Sequence, residues 1–395
     1  LVGAGLMKIS MLEQLTLIFK DRMRFKLLLL SLSMGMAGAS IMPVLSTHLA
    51  LNMGIEPLWI GFIFAANTLS GIVVSHWIAN HSDSGLSRLG IIQKGAWISF
   101  FSVIGLGVST HYIVLMVTGM ALFAAVSPIQ PQIFAMARDL VEEEDAALFQ
   151  SLLRASISFS WIIGPPLAYI LFSLIGFSGL SFICAGIFLL SLVSLKGFQD
   201  APLQVKTTEV KLTDPRLKWL VLAMAAVFAA NNMYIVYMPI YLQENLNFVA
   251  VIPGLLMGFT AGLEIPMMIY TGARSNHWPL FSPLKFAALM GVVFYSLIFF
   301  SQNLSILFMA QLFNGAFIGI MAGLGISVFQ ALMKGRMGMA STLYTNAIRM
   351  GGLAGALGGG VLAQMIGIRG VFVACTLMAI IAFMALSKAS RLKPN

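Results

Sequence analysis

The stretch from Trp219 to Gln243 reads WLVLAMAAVFAANNMYIVYMPIYLQ, 25 residues without one charged side chain. A helix rises about 1.5 Å per residue, and the hydrocarbon core of a bilayer takes about 20 mostly apolar residues to cross. This run is therefore long enough and apolar enough to span a membrane. Transmembrane β-strands would instead show short alternating segments, which this run does not contain.

Runs of the same kind fill most of the chain. Of its 395 residues, 59% are hydrophobic and 9% charged, against about 25% charged in a soluble domain. A water-exposed surface cannot be built from so few polar residues, so soluble, disordered and nucleic-acid-binding classes are excluded. Twelve helical runs are read, near 26–49, 58–80, 91–109, 112–134, 147–175, 178–196, 219–243, 250–273, 284–301, 303–329, 339–366 and 369–388. The fold class is an all-α membrane protein.

The net charge of +9 is explained by topology. Lys and Arg collect on the cytoplasmic side of a membrane protein. With the N-terminus inside, 20 of the 23 basic residues fall on cytoplasmic segments, Arg369 falls outside, and Arg154 and Arg349 lie within spans. That split predicts an even number of spans with both termini cytoplasmic. Leu1 to Lys20 lacks the order of features of a cleavable signal peptide, and Met7 and Met11 are candidate starts. Cys184 and Cys375 sit in apolar runs and are read as buried, inert thiols.

The one long polar stretch, 199–218, divides the chain. The domains expected are an N-terminal segment 1–25, a six-helix bundle 26–198, a linker 199–218, a second bundle 219–388 and a tail 389–395. Repeats support the division. Pro43 and Pro57 stand 196 residues before Pro239 and Pro253, and Cys184 stands 191 before Cys375. Two bundles related by an axis along the membrane normal would hold a solute between them near the midplane.

Few polar groups sit deep in these spans. Glu264, in Thr260-Ala261-Gly262-Leu263-Glu264-Ile265-Pro266, lies roughly 15 Å from the cytoplasmic end marked by Arg274. A carboxylate at that depth must be paired, protonated or hydrated. It is read as a proton-binding or substrate-binding group; the competing reading is a fixed ion pair between helices. Arg154 and Arg349 reach similar levels. Either guanidinium would favour the ionised carboxylate while burial favours the neutral one. A pair made in one conformation and broken in another would gate transport on protonation. The alternative for Arg154 is a head group that snorkels to the surface.

Neutral polar residues recur at mid-span: Asn67, Gln130, Gln132, Asn231, Asn232, Tyr234, Tyr237, Gln311, Asn314 and Asn346. Amides and phenols both donate and accept, which suits a neutral polyhydroxylated ligand. Trp161 or Trp77 could stack on the apolar face of a sugar ring. The competing reading for each is helix–helix hydrogen bonding. Asp83 and Arg88, in the loop after span two, could anchor a neighbouring helix end and gate it. No enzyme motif is present, the five His residues show no ligand spacing, and neither metal nor cofactor is implied.

Twelve spans, two halves and a basic central segment resemble the major facilitator superfamily over the whole chain. Ala79 to Arg88 resembles its loop motif after span two, with Ala79 for the usual Gly and Ser84 for a usual basic residue. Trp161 to Ala168 resembles the fifth-helix motif of exporters; the span-four motif with a buried Arg is missing. Within the superfamily the chain is similar to the bacterial sugar efflux transporters. That resemblance rests on Pro57 to Gly61, Leu153-Arg154-Ala155, Trp161 to Ala168, Met257-Gly258, Ala261 to Pro266, Gln311 to Asn314 and Phe317 to Ile320. It departs in span seven, where Met233 to Pro239 lacks an Asp that family members carry near Tyr237, which leaves Glu264 as the main carboxylate.

The resemblance implies a monomeric, multi-pass protein of the bacterial inner membrane that exports sugars or glycosides by proton antiport and alternating access. Its partners would be the sugar, protons and lipid. It also implies that spans five and eight lie side by side, making Arg154–Glu264 the pair to test first. The alternatives are a multidrug/proton antiporter of the same fold and a membrane sensor that binds sugar without moving it.

Overall fold

The computed structural model describes residues 20–80, 87–140, 143–198, 214–333 and 336–392. Asp83 and most of the 199–218 linker lie outside them. Regular structure among the described residues is helical apart from the bridge assigned at Ser87. The helices are α1 (Arg22–Thr47), α2 (Pro57–Asn80), α3 (Arg88–Val108), α4 (Tyr112–Val126), α5 (Ile129–Leu140), α6 (Glu143–Ser194), α7 (Arg216–Ile240), α8 (Val251–Arg274), α9 (Ser282–Phe300), α10 (Leu304–Leu332), α11 (Met337–Ile366) and α12 (Ile368–Arg391). Ten helical stretches are long and apolar enough to cross a membrane.

Side-chain chemistry sets several boundaries. The Asp21 carboxylate caps α1, accepting from the backbone N–H groups of Met23 and Arg24 at 2.8 and 3.1 Å. Ser87 caps α3 and Asn303 caps α10, each satisfying N–H groups that a helix start leaves free. Just before α7, Asp214 accepts from the backbone and guanidinium of Arg216. Those bonds hold its carboxyl below the usual carboxylate range.

Proline and glycine set the breaks. Proline lacks the N–H that continues a helix ladder, and Pro43 and Pro239 each precede a single π-turn, His48–Asn52 and Tyr241–Asn245. The run expected at 112–134 divides at Ser127-Pro128 into α4 and α5. The runs expected at 147–175 and 178–196 are two helical segments within Glu143–Ser194, separated at Gly176, whose non-helical φ of 71° only glycine adopts readily. Gly367 (φ 79°) makes the corresponding turn between α11 and α12.

In the first half α1 packs on α6, α3 on α4 and α6, and α2 on α4. In the second, α7 packs on α11 and α12, α8 on α10, and α9 on α10 and α12. The halves meet where α6 touches α8, α2 touches α11 and α1 touches α7. Backbones approach closely at several of these contacts, as small residues allow. Gly351 and Gly355 bring α11 onto the carbonyls of Ala225 and Ala229 in α7. Large apolar side chains such as Phe101, Leu174 and Phe300 point outward, 64–76% exposed, which is the surface lipid requires.

Candidate functional site: two cavities joined at Trp161

Two cavities lie in the interior, one in each half, and Trp161 lines both. The second-half cavity holds about 150 Å³. Asn231 and Tyr234 reach it from α7, Thr260 and Glu264 from α8, and Asn314 from α10. The backbone of Glu264 is set by the press of α8 on α10. A Cβ at Gly319 would lie 2.9 Å from the Glu264 carbonyl oxygen, and one at Gly315 would lie 2.6 Å from the Leu263 Cβ. The Glu264 side chain is half-buried. It makes no hydrogen bond or ion pair among the described residues, where the ion pairs are Asp21–Arg24 and Asp214–Arg216.

Behind the cavity wall sits a buried polar network. Gln311 is fully buried. Its Nε2 donates to the Leu307 carbonyl at 3.0 Å. Its Oε1 accepts from Thr260 Oγ1 at 2.6 Å, from Asn314 Nδ2 at 3.2 Å and from Tyr234 Oη at 3.3 Å. Four side chains from three helices are thereby locked together. Asn314 Oδ1 is buried and has no hydrogen-bond partner.

The first-half cavity is larger, about 310 Å³, and differs in chemistry. Met34, Gly38, Ile41, Met42, Phe123 and Val126 are among its apolar lining, with Ser127 and Gln130 as polar members. Gln130 Oε1 is buried without a donor.

The remaining expected site residues divide. Tyr237 is buried and donates to the Pro57 carbonyl at 3.2 Å, so it ties α7 to α2 across the halves and lines neither cavity. Asn67 is fully buried against α4, where a Cβ at Gly119 would sit 2.8 Å from its Oδ1. Asn232 Oδ1 is buried without a donor, and a Cβ at Gly352 would lie 3.9 Å from its Nδ2. Asn346 is exposed on α11. Arg154 is exposed, with its guanidinium 6.0 Å from the Phe134 ring centroid. Arg349 is half-buried and makes no hydrogen bond or ion pair among the described residues. Arg88 begins α3, and its expected partner Asp83 is not among the described residues. Among the described residues no group of His, Cys, Asp and Glu is placed to hold a metal ion.

Sequence reasoning missed Thr260, whose signal was its place one turn before Glu264. It also missed the glycine register of α8. A Cβ at Gly254 would lie 2.6 Å from the Pro165 carbonyl oxygen, and one at Gly258 would lie 2.5 Å from that of Ile162. One turn further, Gly262 meets nothing within 4 Å. At the same end of the halves, a Cβ at Gly61 would lie 2.8 Å from the Gly360 Cα. The halves are thus in backbone contact at one end, and the α6–α8 seam opens between Gly258 and Gly262, just before Glu264.

Comparison with known proteins places this arrangement. Residues 27–302 match the Major Facilitator Superfamily. Sugar efflux transporter A of Escherichia coli strain K12 is 35% identical over 371 residues, covering 91% of this chain and 94% of that protein. Sugar efflux transporter C of the same organism is 32% identical, covering 82% and 85%. Among solved structures, an inward-facing, unoccupied bacterial homologue of the human lysosomal transporter Spinster superposes with a TM-score of 0.78 at 13% identity, covering 94% of this chain and 98% of that one. The nucleoside transporter NupG gives 0.74 at 10% identity, covering 94% and 100%. Those two likenesses concern the fold. Together with the apolar helices, the sequence matches make this a multi-pass protein of the bacterial inner membrane, a transporter and not an enzyme. The chain belongs to the major facilitator superfamily and, within it, to the sugar efflux transporters.

Proposed function

We propose that the protein exports sugars or glycosides from the cytoplasm by proton antiport, working by alternating access as a monomer. It crosses the membrane twelve times with both ends cytoplasmic. Segments 26–198 and 219–388 act as two bundles that rock against each other. The observation that carries this reading is the second-half cavity. It sets an unpaired carboxylate, Glu264, among neutral donors and acceptors beside Trp161. Neutral hydrogen-bonding groups fit sugar hydroxyls, Trp161 offers the ring a stacking face, and the carboxylate can carry a proton. The relatives' names point to the same substrate class.

The glycine register gives the gate a geometry. Continuing the α6–α8 seam by one and two turns beyond Gly258 brings Gly262 opposite Ser158 and Phe159, and Pro266 opposite Arg154 and Ala155. Closure of the seam would then carry Arg154 toward the level of Glu264 and favour the ionised carboxylate. Opening it returns Arg154 to its exposed place beside Phe134. Arg349 serves as the second cation of the central space, and Asp83 with Arg88 holds the loop after α2. Gln130, Asn231, Asn232, Asn314 and Asn346 supply contacts to substrate, whereas Tyr237 ties α7 to α2.

Uptake of labelled lactose, glucose and a methyl glycoside into inverted vesicles tests the function, with and without an imposed pH gradient. Gradient-stimulated uptake of at least one sugar is expected. Absence of flux for all three overturns the reading. The apolar first-half cavity also favours a second reading, export of amphipathic cations. In that case such cations, and not sugars, would block uptake.

A further inference from the structure

We infer that Asn314 is the side chain that selects the ligand, through a carbonyl oxygen that takes a hydroxyl donor, and that Gln311 is the positioning residue that holds it in that sense. The inference rests on the sugar reading above and deepens it.

The argument follows the polarity of the network outward from the backbone. The Leu307 carbonyl can only accept, so the Gln311 atom facing it at 3.0 Å must be the amide nitrogen. That fixes the opposite end of Gln311 as Oε1. Three groups converge on this oxygen: Tyr234 Oη and an atom of the Asn314 amide, which must donate, and Thr260 Oγ1, whose single proton is shared between it at 2.6 Å and the Leu256 carbonyl at 2.9 Å. The Asn314 atom is consequently Nδ2, which also lies 3.5 Å from Thr260 Oγ1. An amide with its nitrogen turned into the network has only its oxygen left. Asn314 Oδ1 is buried and has no donor, in a side chain 2% exposed that lines the Glu264 cavity.

A buried acceptor without a donor is unfavourable, and the balance is restored by whatever brings an O–H to it. Glu264, which lines the same cavity, offers no donor when ionised, the state that sugar binding is proposed to favour. The missing donor is a hydroxyl of the ligand. Because Gln311 is fully buried and does not line the cavity, it acts on the ligand only by holding Asn314. A site built to accept rejects an analogue that cannot donate. Replacing a sugar hydroxyl by hydrogen removes the donor, and replacing it by fluorine also removes it while keeping electronegativity and size. The two substitutions are therefore equally damaging at a ring position that meets an acceptor, and unequal at one that meets a donor.

The test uses purified protein in proteoliposomes, with counterflow of labelled glucose competed by each monodeoxy and monodeoxyfluoro glucose. At one ring position both analogues are expected to compete about 10-fold less well than glucose. In Asn314→Leu that penalty falls to within about twofold at that position alone. Gln311→Leu should lose the same position's penalty while other positions keep theirs, a pattern that a general packing defect would not produce. If Asn314→Leu does not assemble, Asn314→Ser, with a shorter reach, should show the same loss. Fluoro analogues that compete as well as glucose at every position overturn the assignment, as does a penalty that survives both Asn314 variants. In either case the sugar reading stands. No exchange of glucose, lactose or methyl glycosides by the wild-type protein removes the sugar reading and this assignment with it.

Discussion

The two halves carry the same scaffold and opposite chemistry. At the 196-residue offset set by Pro43 and Pro239, Gly35 and Gly38 of α1 correspond to Asn231 and Tyr234 of α7. The first pair lines an apolar cavity of about 310 Å³, the second a polar one of about 150 Å³. In one half glycine leaves room; in the other, amide and phenol fill that room with hydrogen-bonding groups. Each half also turns from its penultimate helical segment to its last at a left-handed glycine, Gly176 and Gly367. Backbone geometry is shared, while the carboxylate and its surrounding network lie in the second half. The fold tolerates this divergence because the breaks and close approaches depend on proline and glycine, and not on the residues that face the cavities.

The sharpest way to break that picture is at the seam both halves share. Gly258→Leu drives a side chain into the Ile162 carbonyl and Pro166, so the contacting end of α6 and α8 cannot close. Sugar flux should fall by roughly 100-fold or more in protein that still assembles, measured as uptake into vesicles at matched protein levels. Flux within twofold of wild type would remove the seam from the gate. Arg154→Ala tests the next step. A cation engaged only when the seam closes should lower turnover by about 10-fold and leave KM for sugar unchanged. A change in KM alone would instead make Arg154 a binding residue.

The cavities themselves are compared by Gly38→Tyr, which copies Tyr234 into the first repeat. A Cβ there meets nothing within 4 Å, so the ring can enter the apolar cavity. Glycosides with bulky substituents should lose about 10-fold in apparent affinity while glucose changes by less than about twofold. Equal losses for both would show that the cavities do not divide the ligand between them. The smallest effect is expected at Gly262→Ala. With open space beside it, the change should raise helix stability by about 0.5–1 kcal/mol, read as a slightly higher thermal midpoint with full binding. A large loss there would mean that the seam is already closed at this level in the resting protein.

Most of the fold is legible in the sequence because lipid leaves the backbone little choice. Runs such as 219–243 must be helical where no water is present to satisfy peptide groups. The breaks were legible only in part. Ser127-Pro128 ends α4 inside a run that hydropathy reads as continuous, whereas the break at Gly176 falls where the sequence separates 147–175 from 178–196. The site was legible in composition but not in direction. A helix buried all round shows no periodicity that separates a cavity-facing amide from one facing a neighbour. Hence Asn67, which packs on α4, and Tyr237, which clamps α2, read the same as Asn231 and Asn314. Glu264 stood out because a lone acid among apolar residues needs no periodicity to be noticed. Thr260 and Gln311 matter through bonds to each other, which spacing along separate helices does not reveal.

The central claim is that sugar and proton compete through Glu264, and linkage makes it measurable without any gradient. If sugar prefers the protein with Glu264 ionised, adding sugar must release protons. Purified wild-type protein in weakly buffered solution with a pH indicator should therefore release protons when lactose is added, over the pH range in which Glu264 titrates. Glu264→Gln should bind lactose and release none. Equal release from Glu264→Gln, or no release from wild type while lactose binds, would contradict the account.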